Sequence, residues 1–115
     1  MIATRADLLA ARCRPRKDAL DAGEAARLLA LLPDWAVDNG RLVRSFTFKN
    51  YHRTMAFVNA LAYVSHNEDH HPEMTVTYNT CVVRYDTHSA HGLTDNDFIC
   101  AAKADALYQQ AAVAA

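Results

Sequence analysis

The chain has 115 residues, 51% of them hydrophobic and 22% charged, with a formal net charge of -1. That length fits one domain hiding roughly 65% of the surface its unfolded form exposes, so disulfide or metal staples are not needed, and the near-neutral charge argues against a dedicated nucleic-acid binder. Cys13, Cys81 and Cys100 are odd in number, far apart and in no CxxC spacing, so neither a disulfide framework nor a thiolate zinc site is expected, and a reducing cytoplasm is the natural home.

No apolar run reaches the roughly 18 residues of a membrane span, and residues 2–17 lack the apolar core of a secretory signal. Residues 1–20 read as an N-terminal extension, with a short helix in TRADLLAARC that Pro15 keeps from running on. The segment carries Arg5, Arg12, Arg14, Arg16 and Lys17, a composition shared by organellar transit peptides and plain basic tails. The domain proper is expected over residues 21–110. Asp21 can cap a helix with Glu24 at its third position, followed by Ala25, Leu28, Leu29 and Leu32 at helical spacing and stopped by Pro33.

Trp35 and Val37 alternate with polar neighbours, and Asn39-Gly40 is a strong signal for a type I′ hairpin. Its return strand, RLVRSFTFK, places Leu42, Phe46 and Phe48 on one face. Asn50 caps a long helix expected to be well buried through Tyr51, Met55, Val58 and Ala62, widened by Phe57, Leu61 and Val64. That helix dissolves in HNEDHHPE, where Pro72 disfavours the helical conformation at His71. MTVTY and CVVRYDTH, separated by Asn79-Thr80, predict a second hairpin. Gly92 breaks the chain, and Thr94 caps a last helix with the stripe Phe98, Ala101, Ala102, Ala106 and Leu107, leaving residues 111–115 as a tail. The order helix, hairpin, helix, hairpin, helix predicts an α+β domain with an antiparallel sheet covered on one face.

Six histidines is an excess for this length, and His66, His70, His71 and His88 fall near the junctions around the second hairpin. Histidine gives and takes protons at neutral pH, so such a cluster suits a reaction needing both an acid and a base. The bland alternative is that exposed histidines simply occupy loops. His66 and His70 are four apart, but no glutamate directly follows the first as in a helical zinc protease, and the adjacent His70 and His71 project differently; no metal is expected. Asp97 follows Thr94 at the position of a capping-box acid, so capping and catalytic support compete for it. Tyr78 reads more readily as a sheet-packing residue than as a ligand contact. His52 and His91 read as surface residues, and Phe46, Phe48 and Phe57 as core.

The stretch HNEDHHPEMTVTYNTCVVRYDTHSAHGLTDND resembles the signature of the pterin-4a-carbinolamine dehydratases, with His66, His70-His71-Pro72, Tyr78, His88 and Asp97 in matching order and spacing. FKNYHRTMAFVNALA and GLTDNDFICAAKAD look like the family's long and last helices. The resemblance implies a four-stranded antiparallel sheet with three helices on one face. It also implies a pterin pocket with His70, His71, His88 and Asp97 as catalytic residues, His66, Pro72 and Tyr78 as substrate contacts, and no cofactor. The implied reaction is dehydration of a 4a-hydroxytetrahydropterin in tetrahydrobiopterin recycling, with a functional link to an aromatic amino-acid hydroxylase and assembly as a homodimer or homotetramer. Alternatives within the resemblance are a dimerisation cofactor for a homeodomain transcription factor and a dehydratase-like role in molybdopterin metabolism. His66 stands where some members have an acid, and Met74 where tryptophan is common.

Overall fold

The structure, a computed structural model, describes residues 2–114, and the side chains of residues 2–110. The elements follow in the order α1 (Arg5–Ala10), α2 (Ala22–Leu29), β1 (Ala36–Asp38), β2 (Arg41–Thr47), α3 (Tyr51–Glu68), β3 (Glu73–Val76), β4 (Thr80–Tyr85), a 3-10 turn (His88–Ala90) and α4 (Asp95–Ala114). The strands form one antiparallel sheet in the order β1-β2-β4-β3. Among the described residues no helix is long and apolar enough to cross a membrane.

Local chemistry sets the element ends. The carboxylate of Asp21 accepts the Glu24 N–H and the side chain of Asn50 accepts the Arg53 N–H, each satisfying a donor that the first helical turn leaves free. Asn39 and Gly40 take φ of 51° and 74°, the left-handed pair that a two-residue turn between right-twisted strands requires. The segment expected as a tail is helical to Ala114, while Ala115 and the side chains from 111 onward lie outside the described residues.

Leu42 and Phe46 of β2 and Cys81, Val83 and Tyr85 of β4 are fully buried on the face that meets the helices. Their aromatic layer continues into α3 and α4: Phe46 and Phe57 centroids are 4.7 Å apart, Phe48 and Phe57 5.2 Å, and Phe46 and Tyr108 5.0 Å. Arg44 shares this face by strand alternation, and its guanidinium reaches Asp105 of α4 at 2.6 Å. Asp105 also accepts the Trp35 indole N–H at 2.8 Å, so one buried carboxylate links β2, α4 and the approach to β1.

Two features differ from the sequence expectation. The inward face of α3 is Thr54, Phe57, Leu61 and Ser65: the expected Phe57 and Leu61 are buried and Val58 packs against the core, but Tyr51 is 52% exposed, Ala62 is exposed, and two hydroxyls take the remaining inward positions. The reason is that both inward hydroxyls find acceptors, Thr54 on the Asn50 and Tyr78 carbonyls and Ser65 on the Leu61 carbonyl, which removes the cost of burying them. The second difference is that the N-terminal segment packs onto residues 21–110. Leu8 is fully buried in the core, Arg5 pairs with Asp105 at 3.2 Å, and Lys103 donates to the Leu9 carbonyl at 2.7 Å.

If this packing is part of the cooperative fold, Leu8→Ala should lower unfolding free energy by about 2–5 kcal/mol in a urea titration, the usual cost of truncating a buried leucine. A loss under about 0.5 kcal/mol, typical of surface changes, would mean that α1 is only loosely docked.

Candidate active site

Helix α3 ends at Asp69, whose φ of 51° and ψ of 42° place it in the left-handed region. The His70 N–H returns to the Ser65 carbonyl at 3.1 Å, closing the helix, and Pro72 then keeps the chain extended. This reversal turns the His70 side chain inward, to 11% exposure, while His71 stays exposed. The imidazole of His70 stacks on the Tyr85 ring at 5.8 Å and 9°. Its Nε2 lies 2.6 Å from Oδ1 of Asp97.

Asp97 is fully buried and its second oxygen is also engaged. Oδ2 accepts the Thr87 hydroxyl at 2.8 Å and the Thr94 N–H at 2.9 Å. The Thr94 contact is the return half of a capping box, so Asp97 caps α4 and holds His70 with one carboxylate. With Oδ2 already accepting two hydrogen bonds, the assignment that lets the carboxylate accept throughout puts the shared proton on His70 Nε2. The tautomer follows: Nδ1 is the ring nitrogen left for other chemistry. Since Thr87 donates its single hydroxyl proton to Asp97, the 2.8 Å contact between the Thr87 and Thr94 hydroxyls is donated by Thr94. Burial pushes the Tyr85 hydroxyl well above its usual pKa, so it stays a neutral phenol beside this network.

A cavity of about 220 Å³ opens beside His70, Thr87, Ser89 and Asn96. Its remaining wall is Glu68 and Asp69 at the end of α3 and the N-terminal strap Cys13–Arg16, which runs from α1 past the ends of α3 and α4. The strap is fixed by polar contacts: the Cys13 N–H and the Arg12 Nε each bond Glu68 at 2.8 Å, and Arg14 exchanges both backbone groups with the Asn96 amide, at 3.1 and 2.6 Å. Ser89, in the 3-10 turn, donates to the Arg16 carbonyl at 2.7 Å. A larger hollow of about 950 Å³ lies between α1, α3 and α4, lined by Leu9, Phe57, Ala102 and Leu107. Its charged lining groups are Arg5 and Arg53, neither of which exchanges protons at neutral pH, so we place the candidate site at the smaller cavity.

The structure thus brings His70 and Asp97 into direct contact. His88 is exposed, but it stands between Thr87 and Ser89, both cavity-lining residues. Pro72 is half-buried in the same turn as His70 and His71, and His66 is exposed on the last turn of α3. Tyr78 is not brought to this cluster within one chain. It sits 63% exposed in the loop between β3 and β4, stacked on Tyr51 at 6.4 Å, at the opposite end of α3. A helix of 18 residues is about 27 Å long. His52 and His91 are exposed. Among the described residues no three His, Cys, Asp or Glu side chains form a metal-holding group.

Residues 18–107 match the family model for pterin 4 alpha carbinolamine dehydratase. The chain belongs to this family. A relative from Stenotrophomonas maltophilia carrying the name pterin-4-alpha-carbinolamine dehydratase is 52% identical over 108 residues, covering 90% of this chain and 93% of its own. One from Nitrosospira multiformis with the same name is 49% identical over 106 residues, covering 90% and 94%. Among solved structures, a transcriptional coactivator/pterin dehydratase from Brucella melitensis superposes with a TM-score of 0.75 at 34% identity, over 78% of this chain and 98% of that one. A pterin dehydratase-like protein described as a RuBisCO assembly factor in the α-carboxysome gives a TM-score of 0.56 at 27% identity, over 64% and 86%. The family fold, four antiparallel strands in one sheet with helices packed on it, is the architecture described above.

Sequence reasoning passed over Thr87, Ser89, Asn96 and the strap. No local pattern marks them, because their partners lie as far as 82 positions away in the chain. Thr87→Val removes the donor to Asp97 Oδ2 while keeping the side-chain shape. It should cost about 1–3 kcal/mol of stability, the penalty of a buried acceptor left short. It should also shift the His70 ring-nitrogen resonances in ¹⁵N NMR, whereas Thr87→Ser should preserve both. Unchanged stability and unchanged His70 signals in Thr87→Val would show that the Thr94 N–H alone positions the carboxylate.

Proposed function

We propose that this chain dehydrates a 4a-hydroxytetrahydropterin to the quinonoid dihydropterin by histidine acid/base catalysis. The observation that carries the reading is the His70–Asp97 pair at 2.6 Å beside a cavity, in a member of the pterin carbinolamine dehydratase family. The substrate has a hydroxyl on C4a and a proton on N5. Hydroxide is a poor leaving group, so an imidazolium donates a proton to the departing oxygen. The C4a–O electron pair leaves with water, the N5 lone pair forms the new C=N bond, and a neutral imidazole takes the N5 proton. Each positioned proton transfer contributes about 10²- to 10⁴-fold.

In this assignment His70, oriented through Nε2 by Asp97, works through Nδ1, and His88 is its acid/base partner across the cavity mouth. His71, Pro72 and His66 contact the pterin, and Tyr78 does so only if assembly carries its loop to the cavity of another copy. No metal or cofactor enters these steps. The reading includes tetrahydrobiopterin recycling in the cytoplasm, a functional link to an aromatic amino-acid hydroxylase, and a homodimer or homotetramer. Strand β3 supports assembly as a sheet edge with one side unpaired in the monomer. A non-catalytic reading, as a partner-binding module, draws support from the similarity to the Brucella transcriptional coactivator/pterin dehydratase and to the carboxysome assembly factor.

His70→Ala or His88→Ala should lower carbinolamine dehydration by about 10²-fold or more. His71→Ala should act chiefly on substrate affinity, and His52→Ala should leave turnover unchanged. Stopped-flow assay with a synthetic carbinolamine, beside a thermal melt of each variant, checks this. Folded His70→Ala and His88→Ala proteins turning over at the parent rate would refute the assignment, and a folded, pterin-binding parent without turnover would favour the partner-binding reading.

A further inference from the structure

Cys13 and Cys100 are 87 positions apart in the chain, yet their sulfurs are 3.5 Å apart. Cys13 is half-buried on the strap, at the cavity wall, and its sulfur lies 3.7 Å from the Asn96 carbonyl. Cys100 is fully buried on α4, one turn beyond Asp97. A disulfide needs the sulfurs at about 2.05 Å, so about 1.5 Å of approach converts this contact into a bond. Residues 13 and 14 lie outside any helix or strand and are tethered by the side chains of Glu68 and Asn96, whereas Cys100 sits within α4, so the strap is the partner that supplies this movement.

We propose that Cys13 and Cys100 form a redox-active dithiol site that reacts with small-molecule disulfides, Cys13 being the entry thiol and Cys100 the resolving one. The two thiols differ in the way this requires. Cys100 is fully buried, and hydrogen bonding to the Cys13 sulfur, followed by burial, pushes its thiol well above its ordinary range. Cys13 is half-buried and lines the cavity, so it is the sulfur of the pair with a path to solvent. Cys13 loses its proton, its thiolate displaces R–S⁻ from an external disulfide R–S–S–R to leave a mixed disulfide at Cys13, and the displaced R–S⁻ takes up that proton as R–SH. The Cys100 sulfur then attacks the Cys13 sulfur, and its proton passes to the second departing R–S group. Two protein thiols and one R–S–S–R become one protein disulfide and two R–SH, with no other oxidant. The new bond would tie the cavity wall to the helix that carries Asp97. Cys81 provides an internal control: it is fully buried in β4, and burial raises its thiol pKa to about 11.

The test uses the full-length folded protein equilibrated with oxidised glutathione, quenched, alkylated and mapped by mass spectrometry. The parent should lose two hydrogens, show a Cys13–Cys100 linkage, retain one alkylatable thiol at Cys81 and return to three thiols on reduction. Cys13→Ser should form no intramolecular disulfide, and Cys100→Ala should accumulate a stable glutathione adduct at Cys13. The oxidised parent should also unfold at higher urea than the reduced one, since the bond closes a long loop. Three free thiols in the oxidised parent would overturn the proposal, as would a glutathione adduct at Cys13 that persists there. Neither readout involves the dehydration assay, so the proposed activity can fail without touching this one.

Discussion

A buried carboxylate has to be met by donors, because an uncompensated charge in a protein interior costs several kcal/mol. Asp97 meets this demand with three partners from three places in the chain: the α4 cap at Thr94, the segment after β4 at Thr87, and the segment after α3 at His70. The helix, the strand exit and the catalytic candidate are therefore positioned by one group. Thr87 directly precedes His88, so the same hydrogen bond that completes Asp97 also fixes the start of the turn that presents the second histidine. Of the two readings of Asp97 in the sequence, capping is present in the structure, and the same carboxylate also contacts His70.

The strap adds a second constraint. Its backbone is bound by the side chains of Glu68 and Asn96, and Glu68 is in turn held by Arg12 and faces Lys103 at 4.0 Å. These contacts draw the N-terminal segment over the junction where α3 ends and α4 begins. The basic composition of that segment thus has a structural use, with Arg5 on Asp105, Arg12 on Glu68 and Arg16 on Asp95.

Where a signal is local, the sequence states it. Asp21, Asn50 and the Asn39-Gly40 turn act within a few residues of themselves, and each element boundary follows. The His70 and Asp97 positions were legible through the spacing of a family signature, which encodes a contact that the residues alone do not reveal. Other features depend on partners far along the chain. The face of α3 turned because Thr54 and Ser65 find carbonyl acceptors, and hydropathy treats a satisfied hydroxyl and an unsatisfied one alike. Leu8 reads as part of a short helix in an extension until α4 is laid against it. The Cys13–Cys100 contact, between residues 87 positions apart, is invisible to any rule based on cysteine spacing. Linear spacing likewise cannot tell that Tyr78 lies at the far end of α3 from His70.

The central claim is that Asp97 acts on the chemistry through His70 and on the fold through α4. A double-mutant cycle on kcat/KM for carbinolamine dehydration, using His70→Ala, Asp97→Asn and the pair, tests it most directly. Each single change should lower kcat/KM, and in the His70→Ala background Asp97→Asn should lower it little further while still reducing urea stability. If the two losses multiply, Asp97 serves the reaction independently of His70, and the account is contradicted.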